Sequence, residues 1–142
     1  MNIRKYIDLR LIGIVGSCLL IVSQFSYWYS GLSLINIYLI TASGAIEDSF
    51  LYLFPLISGC ICFVGTFLVL YKLEYKLNSV IINFIGLGFF LIFLFELIPK
   101  DFPYISSIEI GFYFAVIGAL LILLDILNVL KLNNDREEGS EN

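Results

Sequence analysis

The chain has 142 residues, of which 60% are hydrophobic and only 14% are charged, and its mean hydropathy is +0.97. Water-soluble domains carry roughly 25% charged residues, so this composition excludes a soluble domain and indicates an integral membrane protein. The net charge is −4 and no basic cluster could follow a phosphate backbone. The expected partner is therefore the lipid bilayer, and no nucleic acid.

Four long apolar stretches follow one another along the chain. A transmembrane helix needs about 20 consecutive apolar residues, and four segments meet this need: Leu11–Tyr29, Ser49–Tyr71, Leu77–Pro99 and Tyr104–Leu130. They predict an all-α integral membrane protein, a four-transmembrane-helix bundle forming a single domain over residues 1–132. Residues 133–142 are mostly polar and acidic, and are predicted to be a disordered tail.

The first span begins with basic residues, as a signal peptide does. Val15–Cys18 resembles a lipoprotein cleavage site, with Cys18 as the residue to be lipidated. Hydrophobicity continues past Cys18, however, so we expect an uncleaved span. It closes with Tyr27, Trp28 and Tyr29, and because Tyr and Trp are enriched where helices meet the headgroups, we expect these three to be interfacial anchors.

The lysines and arginines predict the orientation. Seven of the eight fall on one side of the predicted spans, and only Lys100 falls on the other. The seven are Arg4, Lys5, Arg10, Lys72, Lys76, Lys131 and Arg136. Since short loops rich in Lys and Arg stay in the cytoplasm, both termini are predicted to be cytoplasmic and the protein is predicted to lie in the cell membrane.

An apolar outer loop, Ser30–Asp48, joins the first two spans. At roughly 20 residues it is longer than most connections, and Leu32–Thr41 is too apolar for a free loop. A short hairpin, a strand pair on the membrane and an interfacial helix all fit this segment. Glu47 and Asp48 are expected to begin the second span, where acids favour the helix dipole, with a cation or basic-partner contact as the alternative.

Small residues recur at helical spacing in the spans. Such stripes let helix backbones approach closely within a membrane. They are Gly111, Ala115 and Ala119 with Gly118 in the fourth span, Gly13 and Ser17 with Gly16 in the first, and Ser58, Cys62 and Thr66 with Gly59 and Gly65 in the second. We expect these faces to hold the bundle together, with dimerisation as the alternative.

Residues that support catalysis are scarce. The chain has no histidine, and its three cysteines lie inside predicted spans, where they are expected to pack as small apolar residues. No serine is positioned to meet a lysine for nucleophilic catalysis. The sequence therefore predicts no enzyme, no metal and no cofactor.

Three carboxylates fall within the spans. Glu96 lies three residues before Pro99 and Glu109 one to two turns into the fourth span, so these two could face each other, whereas Asp125 lies too far along the helix to join them. We expect interfacial carboxylates paired with Lys100, Lys131 or backbone groups. The alternatives are a cation or proton pathway and a contact with a partner subunit.

Two short motifs carry a resemblance to known membrane proteins. Trp28, within Tyr27–Leu32 after the first span, resembles the tryptophan of claudin and peripheral-myelin four-span proteins. The Gly-Leu-Trp element and the paired extracellular cysteines of that family are absent. The same junction, together with the Gly111–Ala119 run that opens the last span, is similar to uncharacterised four-span proteins of prokaryotes. The resemblance implies topology and no site residue.

Together these features predict a non-catalytic membrane protein. An accessory, scaffold or interaction subunit of a membrane assembly fits best, because the chain is small and has packing surface to spare. Its partners would be other membrane-protein subunits or further copies of itself. The alternative is a small ion, proton or solute transporter or channel component that uses the intramembrane carboxylates.

Overall fold

The computed structural model describes residues 3–101 and 108–140, with side chains over 11–97, Leu73 excepted, and over 108–131. The chain is mostly helical. In order, the elements are α1 (Ile3–Phe25), β1 (Tyr27–Tyr29), β2 (Leu32–Ser33), α2 (Leu34–Ala42), α3 (Ile46–Ser49), a 3-10 turn (Phe50–Leu53), α4 (Phe54–Tyr71), a second 3-10 turn (Leu73–Tyr75), α5 (Lys76–Asp101) and α6 (Ile110–Ser140).

Helical segments long and apolar enough to cross a membrane occur at three places in the described chain: Ile46–Tyr71, Lys76–Leu97 and Ile110–Lys131. The apolar part of α1, Leu11–Phe25, is shorter. At 1.5 Å per residue it is about 22 Å long, against about 30 Å of hydrocarbon. The prediction that the long apolar segments form helices is confirmed.

The four long helices form a bundle with one loose seam. Helix α1 packs extensively against α6 and α4, and α4 packs extensively against α5. Helices α5 and α6 contact each other far less. The order around the bundle is therefore α6, α1, α4, α5, and the ring closes only weakly between its two ends.

Polar side chains lie inside the bundle and apolar ones cover it. The buried polar residues of the helices include Ser17, Ser23, Gln24, Ser58, Thr66, Ser79, Asn83 and Asp125. Large apolar side chains are exposed on every long helix, among them Val15, Val64, Ile85 and Leu120. A soluble monomer rarely exposes so much contiguous apolar surface, so this distribution is typical of a bundle surrounded by lipid.

The first helix ends earlier than the sequence predicts. Helix α1 stops at Phe25, and Tyr27–Tyr29 form strand β1, which pairs with β2 in an antiparallel hairpin. Ser30 and Gly31 form the turn with φ values of 51° and 73°. Positive φ at both central residues is what a two-residue hairpin turn requires. Tyr29 also pairs with Ile108, so the hairpin satisfies further backbone groups against the segment that precedes α6.

The apolar outer loop is ordered as helix. Ser33 accepts a hydrogen bond from the Asn36 N–H at 3.4 Å and caps α2, so most of Leu32–Thr41 is helical. The interfacial position of this helix stays a prediction. Leu39 and Ile40 of α2 are each 62% exposed. Glu47 and Asp48 lie in the first turn of α3, which confirms the expectation that these acids begin the second helical segment.

The last helix differs from its predicted boundaries at both ends. It begins at Ile110, whereas the predicted start, Tyr104, lies outside the described residues. The tail was expected to be disordered from residue 133, yet α6 continues as a helix to Ser140. Residues 136–138 of this stretch, one Arg and two Glu, are good helix formers, and the helix that begins at Ile110 extends through them.

Candidate functional site

Trp28 lies at the centre of the hairpin end of the bundle. Its side chain is fully buried, and its indole N–H donates to the Ser23 carbonyl at 2.7 Å. Its ring meets Phe93 of α5 and Phe112 of α6 edge-on, at centroid distances of 5.5 and 5.7 Å. The prediction of an interfacial anchor is therefore wrong for Trp28, because the protein itself surrounds the ring and takes its hydrogen bond.

The two tyrosines that flank Trp28 differ in exposure, and the register of β1 is irregular between them. Tyr27 is 57% exposed, which is compatible with a membrane-facing anchor. Tyr29 is partly buried, packs on the core and lies 6.4 Å from the Trp28 ring. Their anchoring role stays a prediction.

Gly111 makes room for the hairpin. A methyl group on Gly111 would lie 2.6 Å from Trp28 Nε1 and 2.8 Å from the Tyr27 carbonyl oxygen. Both distances are shorter than carbon contacts allow. Gly111, the first member of the small-residue stripe in α6, therefore packs against Trp28 and strand β1, whereas the sequence predicted that it packs against another helix.

Glu109 ties the hairpin to α6. It lies just before the helix, where the sequence had placed it one to two turns inside, because α6 begins only at Ile110. One carboxylate oxygen accepts from the Gly31 N–H at 3.0 Å, and the Glu109 N–H donates to the Trp28 carbonyl at 3.0 Å. The carboxylate thus satisfies the exposed N–H of the turn glycine.

Three further carboxylates of the described residues are on the surface. Glu96 of α5 is exposed, as are Glu47 and Asp48. The described contacts of Glu109 go to the hairpin backbone, and the expected pairing of Glu96 with Glu109 stays a prediction.

Asp125 lies inside the bundle, where three helices meet. Only 4% of it is exposed. A methyl group on Gly13 of α1 would stand 2.5 Å from Asp125 Oδ2 and 2.5 Å from Thr66 Cγ2 of α4. Asp125 is therefore buried among the helices, and its predicted position at the membrane interface and its pairing stay predictions. Sequence spacing could not reveal this environment, because Gly13 and Thr66 come from two other helices.

The contact between α1 and α6 is built on small residues, as their spacing predicts. Gly16 and Gly118 face each other, and Ala115 is fully buried. Ser17 is buried too, and its hydroxyl donates to the Gly13 carbonyl at 2.8 Å within its own helix. Ala119 is only partly buried and lies beside the seam between α5 and α6, so it does not continue the α1-facing stripe.

The contact between α4 and α5 includes an asparagine that the sequence reasoning passed over. The Asn83 side chain is buried against Gly65, and the Cys62 thiol donates to the backbone carbonyl of Asn83 at 3.7 Å. Ser79, four residues earlier on the same face, is also buried. Ser79 and Asn83 form an i, i+4 polar pair in an apolar span, and this spacing could have predicted a polar helix contact from the sequence. Cys62 packs in the interior as expected, whereas Cys18 and Cys60 are exposed on the bundle surface.

A groove runs along the loose seam between α5 and α6. Its volume is about 320 Å³, and it is lined by apolar residues between Phe84 and Leu94 of α5 and between Val116 and Leu123 of α6. A smaller cavity of about 120 Å³ lies at the other end of these helices, beside Lys76 and Val129. Glu96, Glu109 and Asp125 line neither of these two spaces.

Among the residues that the structure describes, no three cysteine or acidic side chains group together as metal ligands would. Comparison of the chain with protein-family models, with curated proteins and with solved structures gave no match. The geometry of the hairpin end, the interior carboxylate and the seam groove is therefore the basis for a functional proposal.

Proposed function

We propose that the chain is a non-catalytic, four-span protein of the cell membrane, with both termini in the cytoplasm, that acts as an accessory or scaffold subunit of a membrane assembly. The observation that carries this proposal is the role of Glu109. Its carboxylate holds the Gly31 N–H at 3.0 Å, and a carboxylate used as a fixed backbone acceptor is a structural element of the outer cap. Ion conduction would instead need a carboxylate that faces water and changes its protonation.

Helix α1 would provide the fourth crossing together with the hairpin. Its apolar part is shorter than the hydrocarbon layer, but β1 continues from it and buries Trp28 between α5 and α6. Backbone groups in a membrane must be paired within the protein, and the hairpin meets this need through β2, Ile108 and Glu109. The resemblance to claudin-type four-span proteins supports the same topology.

The surface available to a partner is the outer helix α2. Leu39 and Ile40 are each 62% exposed, and Ile46 and Phe50 continue the apolar surface beyond it. Such a helix at the membrane surface can contact lipid or the apolar face of a neighbouring subunit. This exposed apolar surface of α2 is the candidate contact for a partner subunit.

A transporter role is the alternative, and Asp125 is the observation that favours it. A carboxylate buried in a membrane bundle costs a few kcal/mol on insertion scales and is by default a functional hypothesis. It lies beside Thr66 and Gly13 at the junction of three helices. In this alternative Asp125, rather than Glu96 or Glu109, would carry the proton or cation.

Flux through reconstituted protein tests the proposal. Purified wild type is placed in liposomes, and proton and sodium flux are compared with empty liposomes and with three variants: Asp125→Asn, the Glu96→Gln, Glu109→Gln double variant, and Glu47→Gln as a surface control. We expect every sample to match empty liposomes. A wild-type flux that Asp125→Asn or the double variant abolishes, and that Glu47→Gln retains, would overturn the accessory role.

Copurification in mild detergent provides the positive test. We expect wild type to retain a membrane-protein partner that a Leu39→Ser, Ile40→Ser variant loses. A matched change at an exposed position of α4, Val64→Ser, should retain it, because Val64 is not part of α2. Equal retention by both variants would remove α2 as the partner surface.

A further inference from the structure

The cavity beside Lys76 combines one charged side chain with apolar walls. The start of α5 meets the α6 segment around residue 130 there, since Lys76 and Val80 line the cavity together with Val129 and Leu130. Val80 and Val129 are each 6% exposed and form a buried apolar floor. Lys76 is partly buried and is the charged residue of the lining. The cavity therefore places a cation next to an apolar surface.

Two lysines mark the same edge of the apolar spans. Lys76 is the first residue of the spanning segment Lys76–Leu97, and Lys131 is the last residue of Ile110–Lys131. Leu130 lines the cavity, and Lys131 follows it directly. Because the ends of a spanning segment lie where hydrocarbon gives way to headgroups, both lysines are at the level expected for lipid phosphates. The valine floor lies on the hydrocarbon side of them.

The positive charge at this edge is not neutralised within the protein. In the part of the chain whose side chains are described, Lys76 and Lys131 form no ion pair. The first turn of α5 contains no acid, and Glu74, the acid that precedes it, is exposed. The start of a helix itself carries about half a positive charge, which adds to the charge of Lys76. An occupant with a negative charge is therefore favoured.

We propose that this cavity binds one anionic phospholipid, a proposal that rests on the proposed membrane location. The phosphate contacts the ammonium groups of Lys76 and Lys131, and the upper part of the acyl chains covers Val80 and Val129. Basic pockets between spanning helices on the cytoplasmic side recognise lipid headgroups through the same charges. A free phosphate ion would leave the apolar floor uncovered. The headgroup of phosphatidylcholine would bring a second cation close to the lysines.

Native mass spectrometry of the full-length protein in mild detergent tests this site. Phosphatidylglycerol and phosphatidylcholine with identical acyl chains are added in turn, and we expect wild type to bind phosphatidylglycerol more tightly. Lys76→Gln should weaken phosphatidylglycerol binding about tenfold, as the loss of a hydrogen bond to a charged group does, and leave phosphatidylcholine binding unchanged. Lys131→Gln should act in the same direction, and Lys76→Arg should retain binding because it retains the charge.

Lys72→Gln is the matched control. It removes the same charge at the same end of the bundle, but Lys72 is exposed and does not line the cavity. Phosphatidylglycerol binding should stay within about twofold of wild type, because an isolated exposed charge contributes little. Equal losses from Lys76→Gln and Lys72→Gln would overturn the site in favour of diffuse surface charge. Unfolding midpoints measured without added lipid should match wild type for every variant, which shows that the variants are folded.

Two further measurements separate the alternatives. Inorganic phosphate at the same concentration should not displace phosphatidylglycerol, and displacement would show an anion site without a lipid component. Wild type should float with phosphatidylcholine vesicles after an alkaline carbonate wash. Flotation combined with equal binding of the two lipids would overturn the lipid site alone, whereas failure to float would overturn the membrane location and the lipid site with it.

Discussion

Gly16 of α1 and Gly118 of α6 lie backbone to backbone. A methyl group on either glycine would stand 2.6 Å from the carbonyl oxygen of the other, well inside the distance at which carbon and oxygen can approach. No side chain separates the two helices at this point. The crossing of α1 and α6, the most extensive helix contact in the bundle, is therefore fixed by the absence of two Cβ atoms.

Gly118→Ala should destabilise the bundle by about 1–3 kcal/mol, because overpacked contacts force backbones apart at about that cost. Gly88→Ala is the matched control, since the Gly88 position meets nothing within 4 Å. There the same change should be neutral or stabilising by about 0.5–1 kcal/mol, the helix preference for Ala over Gly. Unfolding midpoints in detergent micelles titrated with sodium dodecyl sulfate measure both. Equal unfolding midpoints for Gly118→Ala and Gly88→Ala would contradict the close contact between Gly16 and Gly118.

Ala115→Leu should also destabilise the bundle by about 1–3 kcal/mol, because Ala115 is fully buried and a larger side chain has no space. Ile117→Leu, on the exposed face of the same helix, should leave the unfolding midpoint unchanged. The same detergent titration compares the two variants. A midpoint for Ala115→Leu that matches wild type would mean that this face of α6 is open to lipid.

Trp28 is the only tryptophan of the chain, so intrinsic fluorescence reports on it alone. Because its ring is fully buried, we expect blue-shifted emission and little quenching by iodide in reconstituted protein. Trp28→Ala should cost about 3–5 kcal/mol, as large buried aromatic truncations do, whereas Tyr27→Ala at an exposed site should cost far less. Strong iodide quenching in the folded, reconstituted protein would show an exposed ring and refute its burial.

Glu109→Ala should loosen the hairpin by about 0.5–1.5 kcal/mol, the net value of one intramolecular hydrogen bond. Glu109→Gln retains an acceptor oxygen for the Gly31 N–H and should behave nearly as wild type. Hydrogen exchange at the Gly31 amide distinguishes the two variants. Faster exchange in the alanine variant only is the expected result, and identical exchange in both would remove the carboxylate from the turn.

Labelling of introduced cysteines tests the orientation, in a background where the three native cysteines are replaced. A membrane-impermeant maleimide applied to intact cells should modify Ser43→Cys, which is exposed between α2 and α3, and spare Asn78→Cys, which is exposed at the start of α5. Ser33 is unsuitable for this purpose because it is buried as the cap of α2. Modification of the Asn78 position alone would reverse the orientation.

Local features of the sequence were sufficient to predict the long helices and their packing faces. Apolar length predicted four spans, of which three are found as helices long and apolar enough to cross a membrane. The spacing of Gly13, Gly16 and Gly118 predicted close helix contacts, because both properties depend on residues within one helix. The acids Glu47 and Asp48 were assigned to a helix start for the same reason. The contact face of a helix follows from its 3.6-residue periodicity, and the start of a helix follows from the chemistry of its first turn.

The partners of individual side chains were decided only by the tertiary structure. Trp28 was predicted at the membrane interface, yet it is buried between Phe93 and Phe112 because two helices distant in sequence meet around it. Asp125 faces Gly13 and Thr66 for the same reason. The groove between α5 and α6 is likewise set by non-local packing, which no sequence period encodes.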